Sequence, residues 1–346
     1  MVRNADHRTR VAELQRQVSA FGGVRSPLDQ QIGGKRLVVA GPQIFEVPST
    51  WSFHEFLLSY VGSQLGRDWI TRHTQNGEGL HPLVTHLIRG TSNVRLTGAG
   101  DGKFSGVTMN GDLLAFLSFA YDLFTLADNA GVQKSLFDRL RKPDQYQGAR
   151  YEMFVAASLL RSGFKIAFED ESDISTSHCE FTATSKQTQR SFSVEAKSRH
   201  RKPPMSDDTA TPNSNIGNLI RRALAKNANH ERIIFVDVNL PSDDRPVFQQ
   251  SWHQEVMATV NELEKKQREN DPWPLAIIFF TNRKTSPWPG EIAAGKSSVL
   301  LTAINHPLFM SEENQKIAEQ TYPEIGALFG AANELSRPPS HFLLND

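Results

Sequence analysis

The sequence is poor in cysteine and has no excess of charge of either sign. Its single cysteine, Cys179, cannot form a disulfide within the chain and excludes a zinc site built from several thiolates. A low number of cysteines is typical of proteins in a reducing, cytoplasmic compartment. Lysine plus arginine number 38 and aspartate plus glutamate also number 38. Binding of a polyanion would therefore need a local basic patch rather than an overall positive field.

Long apolar runs are missing as well. The longest run, Leu113 to Ala127, contains Asp122 and follows Asp112, which predicts a core helix rather than a membrane span. The first 17 residues are charged and lack the apolar centre of a signal peptide. With 38% apolar and 22% charged residues, the 346-residue chain has the composition of a soluble globular protein with one large domain or two ordinary ones.

The chain divides into regions of different pattern. Residues 1–48 predict an N-terminal arm followed by loops that contain glycine and proline. Residues 49–142 have apolar residues at helical spacing and predict a mainly α-helical domain. The Gly-rich connection "TGAGDGKFSG" within it lacks the pattern of a phosphate-binding loop, because Thr97 and Phe104 stand at two required positions. It predicts a flexible loop or a short hairpin.

Residues 143–346 alternate between helical and strand patterns. From Gln145 the segments predict the order α-β-β-β-α-β, given by "QGARYEMFVAASLLRSGF", "FKIAFED", "HCEFTATS", "RSFSVEAKSR", "NIGNLIRRALAKNAN" and "RIIFVDVNLP". A further helix and two strands, "LAIIFFTN" and "SSVLLTAIN", follow. Strands as continuously apolar as "RIIFVDV" are typical of sheets covered on both faces. The order predicts an α/β fold with a mixed central sheet between layers of helices.

Charged residues interrupt two neighbouring strands of this sheet. Alternation places Glu195 and Lys197 on one face of the third strand, and Glu180 lies at the second strand. Because the short turn "SKQTQ" makes these strands neighbours, Glu180 and Glu195 are expected to share a face, with Lys197 beside them. Two carboxylates predict a hard oxygen site for Mg²⁺ or Mn²⁺, and the ammonium suits such a site for phosphodiester chemistry. The alternative is an exposed Glu–Lys pair that forms a weak surface salt bridge.

The pattern Glu180 … Glu195-Ala196-Lys197, after a helix that bears Glu152, resembles the PD-(D/E)xK superfamily of restriction-endonuclease-like nucleases. The resemblance covers about half of the chain and includes the order of helices and strands. It implies a three-layer restriction-endonuclease-like core and a metal-dependent nuclease that uses Mg²⁺ or Mn²⁺. It assigns catalytic roles to Glu180, Glu195, Lys197 and Glu152, and metal coordination to Glu180, Glu195 and the carbonyl of Ala196.

One part of the pattern departs from the superfamily. The first strand-borne acid is usually Asp after Pro, whereas this chain has His178-Cys179-Glu180. Glutamate can coordinate a metal, so the departure bears on activity more than on fold. Asp173, which is expected in a loop between strands, is the weaker alternative for that position.

Basic residues follow the third strand and continue on the next helix. The candidates for contacts with nucleic-acid phosphates are Arg199, Arg201, Lys202, Arg221 and Arg222, and Lys226 adds to the same helix. Each of them could equally be a solvated surface residue. The resemblance implies a nucleic-acid partner, with DNA favoured over RNA, and leaves a homodimer and a role in restriction or defence open. The alternative function is a catalytically inert nuclease-fold protein that binds nucleic acid or a partner.

Overall fold

The structure is a computed structural model that describes most of the chain. The described residues are 23–24, 27–75, 81–92, 95–98, 104–108, 111–169, 179–200, 215–240, 245–266, 272–283, 298–309, 312–333, 338–339 and 342. Within them the chain forms a small antiparallel sheet, a group of packed helices and a large mixed sheet.

The segment from residue 28 to residue 48 is a three-stranded antiparallel sheet, whereas the sequence analysis predicts loops there. Its strands are β1 (Leu28–Ile32), β2 (Lys35–Ala40) and β3 (Gln43–Pro48). The first turn consists of Gly33 and Gly34, with φ angles of 57° and 80°. Two residues with positive φ form the tight turn that matches the twist of a hairpin. The glycines therefore mark a hairpin turn rather than an extended loop.

Helices dominate the next part of the chain, as predicted for residues 49–142. They are α1 (Phe53–Leu65), α2 (Arg67–Gln75), α3 (Pro82–Ser92), α4 (Gly111–Asn129) and α5 (Lys134–Leu140). Helix α1 begins at Ser52, whose hydroxyl accepts a hydrogen bond from the Glu55 amide while the Glu55 carboxylate accepts one from the Ser52 amide. Between α3 and α4, strands β4 (Arg95–Gly98) and β5 (Phe104–Thr108) pair antiparallel, which is the hairpin alternative.

A six-stranded mixed sheet follows, in the predicted order. Its elements are α6 (Tyr146–Arg161), β6 (Phe164–Phe168), β7 (Phe181–Ser185), β8 (Ser191–Ser198), α7 (Asn215–Leu224), β9 (Glu231–Asp237), α8 (Ser251–Lys265), β10 (Ala276–Asn282) and β11 (Ser298–Ile304). The strand order is β11-β10-β9-β8-β7-β6, and β8, β9 and β10 are parallel. Two helices that the sequence analysis does not predict, α9 (Gln315–Thr321) and α10 (Pro323–Asn333), follow the sheet. The α/β class with a mixed sheet is confirmed.

The two faces of the sheet pack against different helices. Phe192 and Val194 of β8 belong to the same buried cluster as Phe154 of α6. On the other face, Ile234 of β9 packs in a second cluster with Ile220 of α7 and with residues of α8. Because side chains alternate along β8, its residues Ser193, Glu195 and Lys197 lie on the face that α7 covers. The fold thus places the predicted acid and lysine beneath α7.

The core on the α6 face extends into the N-terminal helices. Phe53 of α1 and Phe124 of α4 belong to the same buried cluster as Phe154 of α6, and α4 and α5 pack directly against α6. The boundary predicted at residue 142 therefore does not separate two hydrophobic cores. The reason is that α6 is buried along nearly its whole length and presents apolar side chains both to the sheet and to α4.

Helix α4 is a core helix, as its apolar sequence predicts. Asp122 in its middle is completely buried and accepts hydrogen bonds from Arg150 at 2.6 Å and from Arg161 at 2.8 Å, both on α6. These two ion pairs tie α4 to α6. None of the helices in the part of the chain that the structure describes is long and apolar enough to cross a membrane.

Candidate active site

The end of β8 extends beyond its neighbour β7. The last residue pair between the two strands is Phe181 with Val194, and the Glu180 amide donates a 3.0 Å hydrogen bond to the Val194 carbonyl. On the other side, β8 continues its parallel pairing with β9 as far as Ser198. The segment from Glu195 to Ser198 therefore has a paired strand on one side and the start of β7, with Glu180, on the other.

Glu180, Glu195 and Lys197 meet at this place. The Lys197 Nζ lies 3.4 Å from Glu180 Oε1 and contacts Glu195 Oε1. A fourth residue, Lys226, joins them from the turn after α7, with its Nζ 3.7 Å from the same oxygen of Glu195. The Glu195 side chain is 1% exposed, whereas those of Lys197 and Lys226 are 22% and 24% exposed. Glu195 is thus the most buried member of a small cluster, and the ammonium groups of Lys197 and Lys226 lie closer to solvent.

One oxygen of this buried carboxylate has no protein donor. Among the described residues, Glu195 Oε2 has no hydrogen-bond partner, although the atom is buried. Buried polar atoms in proteins are nearly always hydrogen-bonded, and an exception requires a reason such as a bound ion or a catalytic role. Within the same described part of the chain, Asp237 Oδ2 and Glu324 Oε2 are buried without a partner as well, and Glu195 differs from them in having a second carboxylate and two lysines beside it.

The protonation of the cluster follows from its burial and its charges. Burial raises the pKa of Glu195 to about 7, although Lys197 acts in the opposite direction. For Lys197, burial lowers the pKa, but Glu195 and Glu180 outweigh this effect and the net pKa is raised. Lys197 therefore keeps its proton at neutral pH, while Glu195 releases its proton close to neutrality.

The structure does not bring Glu152 to this cluster, in contrast to the sequence analysis. Glu152 lies on α6, which covers the opposite face of the sheet, and it forms a bidentate salt bridge with Arg139 of α5 at 2.8 and 3.0 Å. Such paired hydrogen bonds between a guanidinium and a carboxylate are among the strongest in proteins. Glu152 therefore connects α5 to α6, and this position corrects the expectation that it lies beside the metal ligands.

The predicted phosphate-binding residues are scattered. Arg199 is buried, and its main chain bonds Asp237 and Asn239 next to the ends of β8 and β9. Arg221 and Arg222 are exposed on α7, and Arg221 contacts Asn218 on the same helix. The other two phosphate-binding candidates, Arg201 and Lys202, lie outside the described residues. The same holds for Asp173 and His178, which precede Glu180 in the sequence.

Two basic residues contribute more to the cluster than their positions in the sequence suggest. Lys226 follows α7, and Arg232 pairs in register with Ser193, so that its side chain lies on the face of Glu195. Arg232 Nη2 donates a 3.0 Å hydrogen bond to the Lys226 carbonyl and fixes the turn that carries Lys226. Alternation along "RIIFVD" could have predicted which face of β9 Arg232 occupies. The pairing of Arg232 with Ser193 follows only from the parallel register of β8 and β9.

Cys179 lies behind the cluster as a buried thiol. Its Sγ donates to the Asn227 carbonyl at 3.5 Å, and burial, with Glu195 as the next contribution, raises the pKa of the thiol to about 12. The group is therefore protonated at neutral pH. Among the described residues, no group of three or more His, Cys, Asp or Glu is arranged to hold a metal ion.

Oxygen donors nevertheless lie close together at the end of β8. Glu180 and Glu195 supply carboxylate oxygens, one of them open. Carbonyls alternate along a strand, so the Ala196 carbonyl points to the same edge of β8 as that of Val194. No described residue of β7 pairs with Ala196 there. Two carboxylates and a carbonyl are oxygen donors of the kind that Mg²⁺ accepts, with water completing its shell. The donor set fits a divalent cation that shares the carboxylates with Lys197.

Comparisons of the chain with protein-family models, with curated proteins and with solved structures find no match. The resemblance to the PD-(D/E)xK superfamily stays a prediction. It rests on the pattern of Glu180, Glu195, Ala196 and Lys197 and on the order of elements from α6 to β9.

Proposed function

We propose that the protein is a nuclease of the PD-(D/E)xK kind, which hydrolyses phosphodiester bonds of nucleic acid with Mg²⁺ or Mn²⁺ on a restriction-endonuclease-like core. The observation that carries this proposal is the buried carboxylate of Glu195. One of its oxygens is open, and Glu180 and Lys197 lie beside it at the end of β8. A buried acid with a shifted pKa next to a specific charged partner is typical of functional sites.

Each residue of the cluster has a task in this reaction. Glu180, Glu195 and the carbonyl of Ala196 would hold the cation. When bound, a divalent cation neutralises charge that develops on the phosphate oxygens and lowers the pKa of water. Lys197 is held by both carboxylates, so its ammonium has a fixed position at the mouth of the cluster.

The hydrolysis requires water oxygen to add to phosphorus while the bond from phosphorus to the leaving sugar oxygen breaks. Glu195 and Glu180 raise the pKa of Lys197, so its side chain is an ammonium that donates hydrogen bonds. Its ammonium can orient the water and stabilise negative charge on the non-bridging oxygens, as preorganised donors do in many enzymes. The water loses its proton to a neighbouring oxygen base or to solvent, and the leaving oxygen gains one from solvent.

Cleavage of mixed DNA and RNA substrates in Mg²⁺ or Mn²⁺ tests the proposal. We expect the wild type to cut, and Lys197→Ala and Glu195→Gln to lose about 10²–10³-fold in rate, the usual cost of one charge-stabilising group. Lys266→Ala is the matched control, since Lys266 is an exposed lysine that pairs with Glu262 on α8. Wild type that fails to cut with either metal, or variants that cut like wild type, would refute the assignment. The same substrates test the predicted preference for DNA.

The second candidate is an inert nuclease-fold module that binds nucleic acid or a partner. The observation in its favour is that Lys197 already bridges Glu180 and Glu195, while Glu152 is committed to Arg139. A ligand that binds only the folded state raises the melting temperature. Binding of oligonucleotides without cleavage, together with a melting temperature that Mn²⁺ does not raise, would favour this candidate over the nuclease.

A further inference from the structure

The six-stranded sheet ends at β11. This strand pairs with β10 on one side, and among the described residues no strand pairs with it on the other side. The outer edge of a strand carries main-chain N–H and C=O groups that a further strand can pair with. Proteins often protect such an edge with charged side chains or proline. The sequence of β11, "SVLLTAI", contains neither.

A groove of about 680 Å³ follows this edge, and its volume is typical of ligand-binding pockets. Five consecutive residues of β11, Val299–Ala303, line it. They come from both faces of the sheet, because Leu301 packs against the buried cluster that contains α6 and Leu300 against the cluster that contains α7. The groove therefore runs along the strand rather than over one face of the sheet.

Helices form the two walls of the groove. Met257 and Val260 of α8 line one side, and Ile325 and Phe329 of α10 line the other. A strand added to β11 would direct alternate side chains toward these two apolar walls. A second copy that paired through its own β11 would bring its own α8 and α10 to the same places. The walls therefore fit a single extended segment better than a second copy of the chain.

The groove is acidic. Its lining contains Glu264 and Glu319, and it contains no lysine or arginine. The Glu264 carboxylate accepts a 3.3 Å hydrogen bond from the Asn305 amide, directly after β11, and the Glu319 carboxylate accepts one from the Gln315 side chain at 3.1 Å. Neither carboxylate forms a salt bridge within the described parts of the chain. A basic residue of an incoming segment would complement them.

We propose that this groove binds an extended peptide segment of a partner protein, which adds to the sheet as a seventh strand beside β11. The segment alternates apolar side chains and carries lysine or arginine next to Glu264. Main-chain hydrogen bonds to β11 supply affinity, and the two walls select the side chains, as in other cases of strand addition. Strands β10 and β9 separate the groove from β8, so its occupancy does not depend on whether the protein cuts nucleic acid.

Two glycines of α10 provide a variant and its matched control. Gly326 and Gly330 are both exposed, and a Cβ at either position would have open space around it. Only Gly326 lines the groove. Gly326→Leu therefore places a side chain in the groove, whereas Gly330→Leu places one on the same helix outside it. Both variants replace a helical glycine by a better helix former, so neither should lower the melting temperature.

The probe is a fluorescein-labelled peptide of the length of β11, seven residues, that alternates valine and threonine between terminal lysines. Fluorescence anisotropy measures its binding. We expect wild type and Gly330→Leu to bind equally, and Gly326→Leu to bind about ten-fold more weakly, because the new side chain takes the space of the added strand. The same peptide with an N-methylated main chain should not bind, since it cannot pair with β11.

A second peptide, with glutamate in place of the terminal lysines, tests the charge. It should bind wild type more weakly than the lysine peptide does, and Glu264→Gln combined with Glu319→Gln should remove this difference. Failure of wild type to bind the lysine peptide would overturn the proposal, as would equal affinities of wild type and Gly326→Leu. A wild type that is a dimer in solution and that Gly326→Leu converts to a monomer would also overturn it, in favour of a second copy as the occupant.

Discussion

Two carboxylates in this protein are almost completely buried beside two basic side chains each, and they differ in one respect. Each oxygen of Asp122 receives a guanidinium, from Arg150 at 2.6 Å and from Arg161 at 2.8 Å. In the cluster at Glu195, both lysines approach Oε1, and Oε2 receives no donor from the described parts of the chain. Burial of a charge is therefore common to both acids, and of these two only Glu195 has an oxygen without a donor among the described residues.

The basic partners explain the difference. Arginine presents several donors in a rigid plane, whereas lysine is a single point charge on a flexible stem. Arg150 lies over the Phe119 ring and Arg161 over the Tyr121 ring, which fixes both guanidiniums against α4. Lys197 and Lys226 remain partly exposed. Asp122 and its two arginines are thus almost out of reach of solvent, whereas solvent reaches both lysines at Glu195.

The largest effect is expected for Asp122→Asn. The substitution leaves Arg150 and Arg161 buried beside a neutral amide, and breaking a buried ion pair in this way costs about 3–5 kcal/mol in the free energy of unfolding. Urea unfolding measures the loss.

Glu195→Gln should lower the free energy of unfolding much less at neutral pH. The pKa of Glu195 is about 7, so a large fraction of its carboxyl groups is already neutral there. Asp138→Asn, at an exposed acid on α5, should leave stability near that of wild type. Equal losses for Asp122→Asn and Glu195→Gln would remove the distinction between the two clusters.

An intermediate effect is expected for Glu152→Gln. This acid is buried, but its partner Arg139 is partly exposed and can be hydrated when the bridge is lost. We expect a loss of about 1–3 kcal/mol, as for a hydrogen bond to a charged group. Arg139→Gln and the double variant complete a cycle, in which the double variant should lose less than the sum of the two single variants.

The same variant tests the role that the resemblance implies for Glu152. If Glu152→Gln keeps its stability and loses cleavage, this acid acts at the site despite its place on α6. If it loses stability and the folded fraction cuts normally, its function is to hold α5 against α6.

A third effect, similar in size to that of Glu152→Gln, concerns pH. Burial raises the pKa of Glu195 from 4.5 to about 7, so between these values the folded protein holds a proton that the unfolded chain has released. The stability from this proton is complete below pH 4.5 and is lost as the pH rises through 7. Stability of wild type should therefore decline from pH 5 to pH 7 more steeply than that of Glu195→Gln. Asp237, whose pKa burial also raises to about 7, is present in both proteins and cancels. Parallel curves from urea unfolding at pH 5, 6 and 7 would contradict the assignment.

Much of the sheet could be predicted from the sequence, because its strands are short apolar runs between polar turns. The six segments from α6 to β9 lie where the pattern predicts them. The N-terminal sheet differs from the predicted loops, because a pair of glycines such as Gly33 and Gly34 is typical of a loop and, between alternating residues, also of a hairpin. Helices α9 and α10 also lie outside the prediction, although apolar residues recur in "PEIGALFGAAN".

The sequence predicts the part of the candidate site that lies on two neighbouring strands, and not the part that comes from distant elements. The alternation along β8 and the short turn before it predict that Glu180, Glu195 and Lys197 lie together, because strands joined by a short turn are neighbours in the sheet. Lys226 reaches the site through the crossover from β8 to β9, and the partner of Glu152 comes from α5. Contacts between distant elements depend on packing, which no local pattern contains.

The solitary thiol offers a reporter for this region. Cys179 adjoins Glu180 in sequence and donates to the main chain of Asn227, next to Lys226, and its side chain is nearly inaccessible. A maleimide reaches it when the start of β7 separates from the turn after α7. Because the chain has one cysteine, the labelling rate measures how often that separation occurs, with no background from other positions. A ligand that contacts both the start of β7 and the turn after α7 should slow the labelling. The labelling assay can therefore screen metals and oligonucleotides before any reaction product is sought.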